Sequence, residues 1–155
     1  MKPALLLLFA GALAGCGGAV PTRWIGQAAE AHAQADALVR EGRLQEAART
    51  LEEFVAAPAP AQVAAQDRRA VIQDTYARLA DLALRQGDPE RALRSADAGL
   101  RLGARRDAFT SALRTFRGRA HEALGLDREA AQDYEAAQVV AEALLADALA
   151  AGGAR

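Results

Sequence analysis

The sequence predicts an all-α protein: a short stack of three helical hairpins ending in an extended C-terminal helix. Three observations carry that expectation. Ala and Leu dominate, Val and Ile are sparse, and no run of alternating β-branched residues marks a strand. Apolar residues recur at helical spacing. Three glycines, Gly42, Gly87 and Gly125, are each followed five residues later by an alanine, Ala47, Ala92 and Ala130, so the chain reads as repeated units.

The amino terminus stands apart from these repeats. Lys2 supplies a positive start, and Ala4 to Leu13 form an apolar stretch shorter than the roughly 20 residues of a membrane-spanning helix, as in a cleavable export signal over 1–15. The stretch ends in Leu13-Ala14-Gly15-Cys16. Those four residues resemble the lipobox of bacterial lipoproteins. The resemblance implies that Cys16 receives a diacylglyceryl group and becomes the first residue of the mature chain. An ordinary A-x-A cleavage site at Ala12-Leu13-Ala14 is the alternative. Two or three acyl chains, at about 0.8 kcal/mol per buried CH₂, anchor stably where one does not. Gly17, rather than an acidic residue, after the cysteine points by the enteric sorting rule to the outer membrane, on its periplasmic face.

Removing the signal leaves 140 of the 155 residues, enough for one domain that buries about two thirds of its unfolded surface. The remaining chain carries 18 Arg and 20 acidic residues, so there is no basic footprint for nucleic acid. Residues 16–23 are expected to be a short tether, 24–150 the helical domain, and 151–155 a flexible tail. A seven-residue tether from Gly17 to Arg23, at about 3.4 Å per residue, would hold the domain close to the lipid headgroups. Trp24 then either caps the first helix pair or touches the membrane interface, the cap being the preferred reading.

Elementary physics supports each hairpin in turn. Leu44, Ala47, Ala48, Leu51 and Val55 form one amphipathic stripe, and Ile72, Tyr76, Leu79, Ala80 and Ala83 form another. Gly87 suits a left-handed helix end, Asp88 the cap of the next helix, and Pro89 its first turn, where a missing N–H costs nothing. The turns Arg85–Ala92 and Ala123–Ala130 resemble those of the tetratricopeptide (TPR) repeat. In the second unit Tyr76, Leu79, Ala80, Ala83, Gly87, Ala92, Ala96 and Gly99 stand in the family's register. The third matches with Gly118, Gly125, Ala130, Tyr134 and Ala137, and the first with Ala35, Leu38, Gly42, Ala47 and Leu51.

The repeats are degenerate. Arg114 and Arg117 stand where Trp and Leu are usual, so Leu113 and Phe116 are expected to fill that core by a small rotation. Phe54 replaces a small residue and is expected to splay the first hairpin from the second. The glycine spacings are 45 and 38 residues, against 34 in the family. The last helix, expected from about Arg128 to Leu149, carries a heptad-like seam of Ala130, Tyr134, Ala137, Ala141, Leu144 and Ala148. It serves either as a cap on the preceding hairpin, the preferred reading, or as a dimer contact.

Nothing in the sequence points to catalysis or to a cofactor. His32 and His121 lie 89 residues apart without a His or Cys at ligand spacing, so no metal site is expected, and His121 is read as a hydrogen-bonded core histidine. Neither serine sits in a nucleophile elbow, and the glycines lack phosphate-loop spacing.

The TPR resemblance implies instead that the first helices of successive hairpins line a concave groove for an extended or helical peptide. Carried over by position, that face presents His32, Asp36 and Arg40, then Asp74, Asp81 and Arg85, then Thr115, Arg119 and Glu122. The expectation is therefore a membrane-anchored scaffold or assembly factor that binds a protein or peptide client in the cell envelope. The alternatives are a structural subunit of a fixed envelope complex, using its convex face or last helix, and a cell-wall enzyme or its activator.

Overall fold

A computed structural model describes residues 19–152. Among them are six helices and no strand: α1 (Ala19–Arg40), α2 (Leu44–Ala56), α3 (Ala65–Arg85), α4 (Pro89–Arg101), α5 (Ala108–Ala123) and α6 (Asp127–Gly152). The helices pack as consecutive pairs, and each pair lies on the next through α2 against α3 and α4 against α5. The first helices of the pairs also touch, α1 on α3 and α3 on α5. By contrast α2 and α4 meet through long side chains, as in the 2.7 Å ion pair from Arg91 to Glu52.

The three expected glycines close the three pairs in the same way. Gly42, Gly87 and Gly125 have φ of 76°, 72° and 73°, a conformation that an L side chain enters only with strain. Each glycine donates to the carbonyl three residues back, and the next residue donates to the carbonyl five back, as in Gly87 N–H to Leu84 (3.0 Å) and Asp88 N–H to Ala83 (3.0 Å). These Schellman bonds satisfy carbonyls that a helix end leaves open. Asp88 then caps α4 by accepting from the Arg91 N–H at 2.9 Å, and Pro89 opens that helix. Asp107 caps α5 in the same manner, from the Thr110 N–H at 2.8 Å. Each such cap contributes about 1 kcal/mol.

The core is built from small residues at the helix contacts with a few large ones between them. Ala47, Ala92 and Ala130, the alanines that open the second helices, are all buried. Leu51 anchors the first pair together with Leu79 and Leu82 from α3. Leu113, fully buried, fills the contact of α3, α4 and α5 with Phe116 packed beside it, the two residues expected to fill this core. Burying such a leucine contributes about 1.5–3 kcal/mol. Trp24 is buried and packs on Phe54 with ring centroids 5.6 Å apart, so it closes the α1–α2 pair and its ring is withdrawn from the surface.

Two boundaries differ from expectation. Residues 19–23, assigned to an extended tether, belong to α1, and a helix rises only 1.5 Å per residue, so they reach less far. Residues 151 and 152, assigned to the tail, continue α6. The signal, the lipobox Leu13-Ala14-Gly15 and Cys16 lie outside the described residues. The cap expected of the last helix is also only partial. Ala130, Asp133 and Ala137 of α6 are buried, yet Ala141 and Ala148 of the same seam are exposed, because α6 has 26 residues and its partner α5 only 16.

Candidate functional site

The faces of α1, α3 and α5 enclose a groove of about 260 Å³. Its floor is apolar, with Val39 from α1, Leu82 from α3 and Phe116 from α5 among its lining. Its rim is charged. On α3 the spacing of Asp74, Arg78, Asp81 and Arg85, in steps of four, three and four, puts all four on one stripe. Arg78 reaches Asp36 on α1 at 2.9 Å and Asp74 at 3.2 Å. One helical turn further on, Asp81 receives Arg85 at 2.7 Å and Arg119 of α5 at 3.6 Å, and the Arg119 guanidinium also lies 5.9 Å from the Phe116 ring centroid.

The groove is therefore bipolar. Where α1 meets α3, two carboxylates share one guanidinium; where α3 meets α5, two guanidiniums share one carboxylate. Asp74 and Asp81 are seven residues apart on α3, so these opposite excess charges stand about 10 Å from one another. Exposed ion pairs are individually weak, at about 0–1 kcal/mol, so a ligand of matching polarity exchanges them at small cost.

Of the nine residues expected on this face, the structure brings together Asp36, Asp74, Asp81, Arg85 and Arg119. The other four lie elsewhere. His32 is drawn into the α1–α3 contact, where Nε2 lies 2.9 Å from Thr75 Oγ1 and Nδ1 3.3 Å from Asp74, with the Phe54 ring edge-on at 6.3 Å. Burial first, and then the Arg78 guanidinium, hold its pKa below the ordinary histidine value against the pull of Asp74 and Asp36. Thr115 turns its hydroxyl back to the Ser111 carbonyl at 3.0 Å. Glu122 faces α6, accepting from the Tyr134 hydroxyl at 2.7 Å. Burial first, and then that contact, push the Tyr134 pKa up to about 12. Arg40 is exposed in the last turn of α1, outside the groove lining. Two residues missing from the expected set complete the groove. Arg78 lies on the same stripe as Asp74 and Asp81 and was legible from that spacing, whereas the place of Phe116 depended on how α5 packs against α3.

A second polar cluster joins α4, α5 and α6. Asp133, only 3 % exposed, accepts two bonds from Arg117 Nε, at 2.9 and 3.1 Å, and lies 3.0 Å from His121 Nδ1. The same guanidinium reaches Asp97 at 3.0 Å. Arg117 thus sits half-buried at this junction because α4 and α6 supply its partners, and hydrogen bonding to Asp133 above all holds its pKa above the ordinary value. His121 is, as expected, a hydrogen-bonded and largely buried histidine.

Among the described residues no group of three or more His, Cys, Asp and Glu is placed to hold a metal ion. No helix among them is long and apolar enough to cross a membrane. The sequence matches no family model, and no curated protein shows significant similarity to it.

Proposed function

We propose that this protein is a lipid-anchored, TPR-like scaffold whose α1–α3–α5 groove binds a segment of a client protein in the cell envelope. The observation that carries the reading is the groove itself: an apolar floor under a rim whose charge reverses along its length. Three helix pairs closed by identical glycine turns, with their first helices side by side, support a short solenoid, and in such folds the surface formed by the first helices is the natural one for a peptide. The Leu13-Ala14-Gly15-Cys16 sequence supports the anchor.

The client segment that fits is extended or helical, with a basic residue for Asp36 and Asp74, an acidic one for Arg85 and Arg119, and apolar side chains between. Across about 10 Å this is a separation of three residues in an extended chain and of seven in a helix. Two experiments test the reading. Cys16→Ser is expected to move the protein from the membrane to the soluble fraction, and unchanged fractionation would refute the anchor. Asp36→Arg and Arg119→Glu, made separately, reverse the charge at the two ends of the groove and are expected to abolish cross-linking of a client to a photoreactive residue placed at Ala112. Undiminished cross-linking in both would remove the groove from the mechanism and leave a fixed envelope subunit.

A further inference from the structure

Two unmatched features lie away from the client groove. The first is a cleft of about 580 Å³ between the end of α2, the 57–64 connection, α3 and the end of α4. Val55, Ile72 and the exposed Leu102 give it an apolar lining, and Arg68, Arg69 and Arg101 stand around it. Among the described residues no acidic one lines it. Arg69 Nε is buried at the cleft wall without a hydrogen-bond partner among the described residues.

The second is the outward face of α6. Val139, Leu145 and Leu149 are 61 %, 60 % and 68 % exposed. Together with Glu135 and Glu142 they occupy one arc of the helix, distinct from the Ala130 and Ala137 side that packs on α5. Between Arg128 and Arg155 the chain contains no basic residue. Glu135 and Val139 also border a cleft that holds Arg105, Arg106 and Arg114, and Glu142 accepts from Gln138 at 2.7 Å. The face is an acidic amphipathic stripe that no other described helix covers, and an apolar stripe of this kind marks an interaction surface.

We propose that the two features are halves of one contact: the outward face of α6 in one copy of the chain docks in the α2–α3–α4 cleft of a second copy. Apolar side chains of α6 fill the cleft while Glu135 and Glu142 meet the arginines at its edge, the helix-in-groove mode. Charge selects this arrangement over its rivals. Pairing α6 with α6 sets carboxylates against carboxylates, and residues 1–18, the apolar segment outside the described structure, carry Lys2 and no acid. Because the two surfaces differ, the contact is head-to-tail and builds rings or open chains of scaffolds, each copy keeping its client groove free.

Sedimentation velocity of the full chain in density-matched detergent tests this over a concentration series. The wild type is expected to form species beyond the dimer. Arg68→Glu with Arg101→Glu, and separately Glu135→Arg with Glu142→Arg, are each expected to weaken association by about tenfold or more. An equimolar mixture of these two variants restores it, since each reversed surface then finds its opposite. Leu149→Gln, at a position too exposed to affect folding, also weakens it. A wild type that stays monomeric overturns the proposal. So does a dimer that survives all the variants, which would report contact through the leader, or a mixture that fails to reassociate.

Discussion

Gly118 of α5 lies flat against the ring of Tyr134 of α6: a Cβ at position 118 would stand 2.8 Å from Cε1 and 2.9 Å from Cδ1. The same device recurs one pair earlier, where a Cβ at Gly99 would meet both methyls of Leu113 at 2.7 and 2.8 Å. Both glycines sit inside helices, where Gly is unfavourable by about 1 kcal/mol relative to Ala, so close approach of the helices more than offsets a local cost. The contact explains how closely α5 and α6 approach at this point.

Gly118→Ala is therefore expected to lower stability. The gain of about 1 kcal/mol in helix propensity is outweighed by overpacking of about 1–3 kcal/mol against a rigid ring that has to be displaced. Gly26→Ala in α1 is the control, because no atom of the described residues lies within 4 Å of the added Cβ, and it is expected to stabilise by about 0.5–1 kcal/mol. Thermal melts of the two variants should move in opposite directions; a rise in Tm for both would show that the helix contact is loose.

Ala92, fully buried, faces Ala83 and Ala120 where three helices converge. Ala92→Leu adds three carbons to a space with no void and is expected to cost about 1–3 kcal/mol, more than Ala92→Ser, whose hydroxyl bonds back to the preceding turn. Equal melting temperatures for the two would argue against tight packing there.

Much of this arrangement was legible because glycine and alanine carry strict local meaning. Gly42, Gly87 and Gly125 announced left-handed turns, Asp88 and Pro89 a helix start, and the alanines five residues after each glycine the close contacts. What stayed hidden depended on tertiary partners. His32 shares its helix face with Asp36, yet Phe54 from another helix covers it and removes it from the groove. Glu122 points where Tyr134 draws it. Arg117 looked like a disruption of the repeat because Asp97 and Asp133 come from helices 20 and 16 residues away in sequence. The partial cap was hidden for a further reason: the seam of α6 continues in sequence beyond the point where α5 ends.

That arginine supports a sharper prediction. Asp133→Asn leaves the Arg117 guanidinium half-buried without its main carboxylate and is expected to destabilise by about 2–3 kcal/mol, below the 3–5 kcal/mol typical of fully buried pairs because Arg117 keeps 27 % exposure. Asp97→Asn removes a partner whose side chain is 43 % exposed and is expected to cost under about 1 kcal/mol. Urea denaturation of both variants checks the ranking, and equal midpoints would mean that the cluster does not pin α6 to α5.

The last prediction concerns pH. His32 in the folded chain has a pKa lowered mainly by burial and next by Arg78, with Asp74 and Asp36 opposing. A histidine whose folded pKa lies below its unfolded value of about 6.5 binds protons more readily when unfolded, so its contribution to stability is present above that value and is lost as pH falls towards the folded pKa. Stability is therefore expected to decline on acidification from pH 7 to pH 5.5. The groups facing the imidazole are Thr75, Asp74, Asp36, Arg78 and Phe54. His32→Gln retains a polar contact to Thr75 and removes the proton equilibrium, so its urea midpoint is expected to change less between pH 7 and pH 5.5 than that of the wild type. A wild-type midpoint that rises on acidification over this range would show that Asp74 outweighs burial and that the imidazole is held charged against α3.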